Sequence, residues 1–156
     1  MTRPFEWRLA SCLSLALGGS CAPIRDAMPA GPPPGGDLPA IVDRYFDTFN
    51  RHDADALGLF YAEEAVLEVP ESEVPLRGRK AIVDHLKGLF ASVPDVKDHV
   101  LNVVSQSDKV AVEFVSTGTL RGSAGKSFRL RLVSVLEFRS GKIVRDATYF
   151  DRAALR

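Results

Sequence analysis

The stretch FRLRLVSVLEFR, Phe128 to Arg139, limits the possible folds of this chain more than any other. Phe128, Leu130, Leu132, Ser134, Leu136 and Phe138 occupy the odd places of an alternation, with Arg129, Arg131, Val133, Val135, Glu137 and Arg139 between them. Successive side chains of a β-strand point to opposite faces, so the pattern predicts one long strand with an almost wholly apolar side. That side must meet a core or a pocket, because a slip of one residue would put every apolar member in water. Ser134 is its single polar member. The other face mixes charges with Val133 and Val135, which implies partial cover by a second subunit.

Strand signals continue on both sides of this element. Val96 to Ser105 reads as a strand, Ser107-Asp108 as a turn, and Val110, Val112 and Phe114 as the alternating side of the next strand. GSAGK, from Gly122, reads as a second turn, and SGK at Ser140 as a third. Helices come earlier in the chain. Asp37 is placed as an N-cap before Leu38-Pro39, with Val42, Tyr45, Phe46 and Phe49 at helical spacing. Asp53 caps a second, short helix carrying Leu57, Phe60 and Tyr61. AVLEV, Ala65 to Val69, is a short strand ended by Pro70. A third helix runs from about Arg79 to Ser92 and stops before Pro94. Helix, helix, strand, helix and then four long antiparallel strands is an α+β layout. Three helices packed on the concave face of a strongly curved sheet form a cone with an apolar cavity at its open end. Such cavities are where small molecules bind.

The segment before Asp37 is not part of this fold. PAGPPPGGD, Pro29 to Asp37, is too rich in Pro and Gly for helix or sheet, so residues 22–37 read as a spacer. Residues 1–21 read as an export leader: Arg3 and Arg8 give positive charge, Leu9 to Leu17 is a short apolar run, and small residues follow. The run is too short to span a bilayer as a helix. The leader resembles a bacterial lipoprotein signal ending in GGSC, with Cys21 as the lipid-bearing residue. Such signals usually carry Leu three residues earlier, where this chain has Gly18. LASC at Cys12 fits the local pattern better but leaves almost no apolar run before it, and a leader without function is the alternative. The expected place is the cell envelope, with the membrane touched only through that lipid.

Bulk properties exclude other classes. Lys plus Arg and Asp plus Glu both number 20, so no basic surplus marks a nucleic-acid binder. Both cysteines precede the domain, which leaves it no disulfide framework or thiol site. His52, His85 and His99 are scattered without metal-ligand spacing. No metal or organic cofactor is expected.

Three stretches carry a family likeness: YFDTFNRHDADALGLFYAEEAVLEVP, RGRKAIVDHL, and GKSFRLRLVSVLEFRSGKI with its later YFD. Together they resemble the SnoaL-like branch of the nuclear transport factor 2-like superfamily. That group includes ketosteroid isomerases, polyketide cyclases and limonene epoxide hydrolase. The resemblance covers residues 38–156 and implies the cone-shaped fold, a homodimer and a small hydrophobic ligand. Of the ketosteroid isomerase residues, Tyr45 matches the helix-one tyrosine, while the base position falls on Val69 and the second acid on Ser134. A valine cannot abstract a proton. The last-strand aspartate of limonene epoxide hydrolase falls on Thr148, and no Arg-x-Asp stands near Phe114.

Asp146 is the remaining acid of the last strand, and its facing depends on the hairpin at Ser140. A two-residue turn on Ser140-Gly141 pairs Val135 with Asp146 and turns the carboxyl outward. A three-residue loop with Gly141 third pairs Ser134 with Asp146 and turns it inward. The three-residue loop is preferred, and it puts Val144, Asp146, Thr148 and Phe150 on the cavity side. There desolvation raises the Asp146 pKa toward neutrality, and Tyr45 is its candidate partner in acid–base isomerase or cyclase chemistry. The alternative is a structural Asp146 that binds Arg145, Ser134 or a water, in a domain that only binds a small ligand or assembles with a partner protein at the cell envelope. Ser134, Thr148, Leu132, Glu68 and His99 are the expected ligand-lining residues. Asp151 reads as the N-cap of a terminal helical turn. His85 reads as a helix-boundary residue and His52 as a structural corner.

Overall fold

The structure is a computed structural model that describes residues 37–122 and 126–151. The expected leader with Cys21, nearly all of the spacer, part of the GSAGK turn and the terminal helical turn lie outside the described residues.

The helices form where capping and periodicity place them. Helix α1 spans Leu38–Asn50; Asp37 accepts a hydrogen bond from the Ala40 N–H, which satisfies an otherwise orphaned donor. Helix α2, Ala54–Gly58, begins with Asp53 accepting from the Ala56 N–H. Between them His52 takes a positive φ of 60°, and its ring hydrogen-bonds the Val96 carbonyl at 2.7 Å. The expected structural corner is present. Helix α3 covers Arg79–Ser92, with Ile82 and Leu86 turned into the core.

The strands are β1 (Tyr61–Glu68), β2 (Leu76–Arg77), β3 (Lys97–Gln106), β4 (Lys109–Thr119), β5 (Ser127–Arg139) and β6 (Lys142–Phe150). They form one six-stranded sheet in the order β2-β1-β6-β5-β4-β3. Strands β3 to β6 are an antiparallel meander, and β6 also pairs in parallel with β1. Irregularities in β1, at Leu101 of β3 and at Val144 of β6 break the ladders, and bulges of this kind bend a sheet. The core lies between the helices and the curved face. Val42, Phe46, Leu57 and Ile82 meet Val112, Leu136 and Ile143 there.

The β5 stripe is as the alternation requires: Leu130, Leu132, Ser134, Leu136 and Phe138 are buried, while Arg129, Arg131 and Val133 are exposed. Two local expectations are corrected. Phe60 and Tyr61 do not extend α2; β1 begins at Tyr61, so the first strand is longer than AVLEV. Helical spacing and strand spacing both fit a short apolar run, and here the sheet claimed it. The hairpin also differs. Its turn has two residues, Ser140 and Gly141, at φ 50° and 72°, as a type I′ turn needs. Arg139 pairs with Lys142 and Phe138 with Ile143; Val144 then bulges, and Leu136 pairs with Asp146. The bulge undoes the outward facing that such a turn would otherwise impose. Asp146 therefore points inward, across from Leu136 rather than Ser134, and Val144 leaves the inner face to Ile143.

Candidate functional site

A cavity of about 520 Å³ lies between the sheet and the helices. Leu67, Leu86, Leu130 and Leu132 form apolar wall, and aromatic rings from α1, β4, β5 and β6 complete it. Polar groups enter at a few places.

The first is a hydrogen-bonded chain. Tyr45 on α1 meets Tyr61 on β1, oxygen to oxygen, at 2.8 Å. The Tyr61 hydroxyl donates to Asp146 Oδ2, also at 2.8 Å. A phenol carries one proton. While Tyr61 gives its proton to Asp146, Tyr45 must give its own to Tyr61. Thr148 Oγ1 donates to the other carboxyl oxygen at 3.4 Å and meets Ser134 Oγ at 2.6 Å. Asp146 is only 4% exposed. Desolvation pushes its pKa up to about 6, against the hydrogen bonds from Tyr61 and Thr148 and the charge of Arg145. Burial also raises the Tyr45 and Tyr61 hydroxyls, and the nearby Asp146 charge raises them further.

The second polar group is Asp98 on β3, 7% exposed. Asn50, the last residue of α1, fixes its backbone: Asn50 Oδ1 accepts from the Asp98 N–H and Nδ2 donates to the Asp98 carbonyl, both at 2.8 Å. The carboxyl lines the cavity beside Ser116, the residue opposite it on β4. Desolvation pushes its pKa up to about 6, tempered by the neighbouring Ser116 hydroxyl. Its Oδ1 is buried and has no hydrogen-bond partner.

The fold thus gathers Tyr45, Ser134, Thr148, Leu132 and Asp146 around one cavity. Tyr45 and Asp146 do not touch; Tyr61 stands between them. Glu68 and His99 are corrections. Leu67, not Glu68, turns to the cavity, and Glu68 makes a two-pronged ion pair with Arg145 at 2.9 Å. Arg145 also reaches Glu137 at 3.1 Å, on the face of the sheet turned away from the cavity. Glu68 borders a separate depression beside Pro70 and Tyr149. His99 is exposed, because Asp98 takes the inward place. His85 does line the cavity. Sequence reasoning missed Tyr61, hidden by its assignment to α2, and Asp98. Val96, two residues earlier and buried in the core, carried the signal for Asp98, while Val100 is exposed. Among the described residues no group of His, Cys, Asp and Glu is arranged to hold a metal ion.

No protein of curated function matches this sequence. Solved structures do match in fold. A protein with a ketosteroid isomerase-like fold from Catenulispora acidiphila DSM 44928, in complex with trimethylamine, has a TM-score of 0.69 at 21% identity, covering 74% of this chain and 88% of its own. SalBIII, an epoxide hydrolase/cyclase-like enzyme of pyran ring formation in the polyether salinomycin, has 0.68 at 22% identity, covering 74% and 92%. A candidate SnoaL-like polyketide cyclase from Jannaschia sp. CCS1 has 0.71 at 20% identity, covering 80% and 92%. These identities establish a shared fold, one found in isomerase-like and cyclase-like proteins. The model of the SnoaL-like domain matches residues 42–146, well over half of the sequence. With the helices, the curved sheet and the cavity in place, that match identifies this chain as a member of the SnoaL-like family.

Proposed function

We propose that the cavity binds a small apolar carbonyl compound and moves a proton on it without a cofactor, as an isomerase or cyclase does. The observation that carries this reading is the buried chain Tyr45–Tyr61–Asp146, which has a carboxyl at one end and a phenol at the other, both lining the same cavity. A carboxyl with a pKa near 6 accepts and releases a proton readily at neutral pH. Ionised Asp146 takes a proton from a carbon next to the carbonyl, and the C–H electron pair becomes the enolate. Tyr45 gives its proton to the enolate oxygen, takes one from Tyr61, and Tyr61 takes one from Asp146. One proton has passed from carbon to oxygen, and the protein ends as it began. Reversal at a different carbon isomerises the substrate; attack of the enol on a second carbonyl closes a ring.

Hydrogen–deuterium exchange into a panel of cyclic ketones, followed by NMR, tests this. The wild type should accelerate exchange for at least one ketone, and Asp146→Asn and Tyr45→Phe should each lower that rate on the order of a hundredfold. Exchange retained in both variants would place the chemistry elsewhere.

We also propose a homodimer formed through the outer face of the sheet, where Val104, Val133 and Tyr149 are exposed. Export and lipidation at Cys21 remain the reading of the leader. Incorporation of labelled fatty acid that is lost in Cys21→Ala but kept in Cys12→Ala supports it, and the reverse result overturns it.

A further inference from the structure

The Tyr45–Tyr61–Asp146 chain leaves Asp98 unused. This carboxyl is more than nine-tenths buried, it lines the cavity, and one of its oxygens has no partner. An ionised carboxylate in an apolar wall is costly unless a donor or a cation meets it. Among the described residues, the ionisable groups lining the cavity are Tyr45, Tyr61, Glu71, His85, Asp98 and Asp146, with no Lys or Arg. Each neighbouring element repeats this. Tyr45 faces inward from α1, His85 from α3, Tyr61 from β1, Glu71 from the loop after β1, Ser116 from β4 and Asp146 from β6. Lys97, beside Asp98 in sequence, is exposed and turns its ammonium to the Asn50 carbonyl. Only desolvation and the Ser116 hydroxyl act appreciably on the Asp98 carboxyl.

We propose that Asp98 is the binding point for a basic nitrogen, so that the ligand of this cavity is an apolar amine carried as its ammonium ion. Asp98 Oδ1 accepts a charge-assisted hydrogen bond from the N–H of the ligand, which satisfies this buried acceptor. Phe46, Phe49 and Phe114 line the same cavity, and their ring faces attract a cation as readily as they bury a hydrocarbon. Asn50 holds the carboxyl in place through both backbone groups of Asp98. A cavity lined by three carboxyls, Glu71, Asp98 and Asp146, with no Lys or Arg among its described residues, also repels anions, so an acid of the same shape is rejected. The inference concerns binding and does not depend on proton transfer at Asp146.

The pH dependence follows. Asp98 is ionised above about 6, and an alkylamine keeps its proton to about 10. Ammonium binding should therefore be strongest between these values and fall as pH drops through about 6.

The test is calorimetric titration of the full chain at pH 8 with phenethylamine, 2-phenylethanol and phenylacetate. The amine should bind about tenfold more tightly than the alcohol, as one charge-assisted hydrogen bond implies, and the acid most weakly. Asp98→Asn should bring the amine down to the level of the alcohol, while Asp84→Asn, at an exposed carboxyl on α3 away from the cavity, keeps the preference. If Asp98→Asn does not fold, carbon-13 NMR of the wild type serves instead: saturating amine should lower the Asp98 pKa, and the alcohol should not. Equal binding of amine and alcohol, no detectable binding of the amine at millimolar concentration, a preference retained in Asp98→Asn, or an Asp98 pKa indifferent to the amine would each overturn the proposal.

Discussion

Asp98 and Asp146 both bind a proton more tightly in the folded chain than in the unfolded one, because burial raises each pKa from 3.8 to about 6. A raised carboxyl pKa means that the folded state holds more protons between those values. Its contribution to stability is complete below about 4 and is lost as pH rises through about 6. The loss amounts to something on the order of 2–3 kcal/mol per group. Urea unfolding at pH 4, 5, 6 and 7 should show the gain in stability from Asp98→Asn growing across this window. A gain that is constant with pH would mean that the carboxyl titrates normally. The half-buried, ion-paired acids Glu68 and Glu137 have lowered pKa values and act in a more acidic window. The Tyr61 hydroxyl tests the chain in the other direction. Tyr61→Phe removes the hydrogen bond that favours the Asp146 carboxylate, so the Asp146 pKa should climb above about 6 in a carbon-13 NMR titration. Stability should fall by about 1–3 kcal/mol, the usual cost of a lost buried hydrogen bond.

The β5–β6 hairpin decides whether this site exists, and its turn is open to adjustment. Ser140 and Gly141 both have positive φ, a backbone that asparagine adopts more readily than serine. Ser140→Asn should raise stability by about 0.5 kcal/mol, whereas Gly141→Ala should lower it by about 1 kcal/mol, both read from urea midpoints. The same hairpin shows what the amino-acid order discloses and what it withholds. The β5 stripe and helices α1 and α3 are legible because each repeats its period over many residues, while the five-residue α2 is legible only at its start, from the Asp53 cap. The inward facing of Asp146 was anticipated through the wrong turn. Ser140-Gly141 closes a tighter loop than expected, and the Val144 bulge restores the parity. A bulge leaves no periodic mark in sequence, so only the sum of the two features could be inferred. Tyr61 was illegible for a different reason: Leu57, Phe60 and Tyr61 fit a helix as well as the start of a strand. On β3 the inward register of Asp98 excludes His99, and the irregularity at Leu101 scrambles the alternation that follows.

At the scale of the whole molecule, the sheet divides the chemistry between its faces. The concave side holds the cavity. The other carries the Lys109–Glu137–Arg145–Glu68 ion-pair network and an apolar band at Val104, Val133 and Tyr149. Val133 and Tyr149 are directly paired across β5 and β6, so one substitution there disturbs the centre of the band. Light scattering should give a dimer mass for the wild type and a monomer mass for Val133→Asp, with unchanged circular dichroism. A monomeric wild type removes the dimer.

Among the described strands, the one that brings Asp146 is the latest in chain order, yet it occupies the middle of the sheet, between β1 and β5. A nascent chain leaving the ribosome must therefore hold β1 unpartnered along that edge until β6 arrives. This part of the chamber is laid after the walls from α1, α3 and β1 to β5 have been synthesised. A chain cut before Asp146 would be left with two part-sheets, β2-β1 and β5-β4-β3, each with a bare edge, so folding of this domain waits for the β5–β6 hairpin.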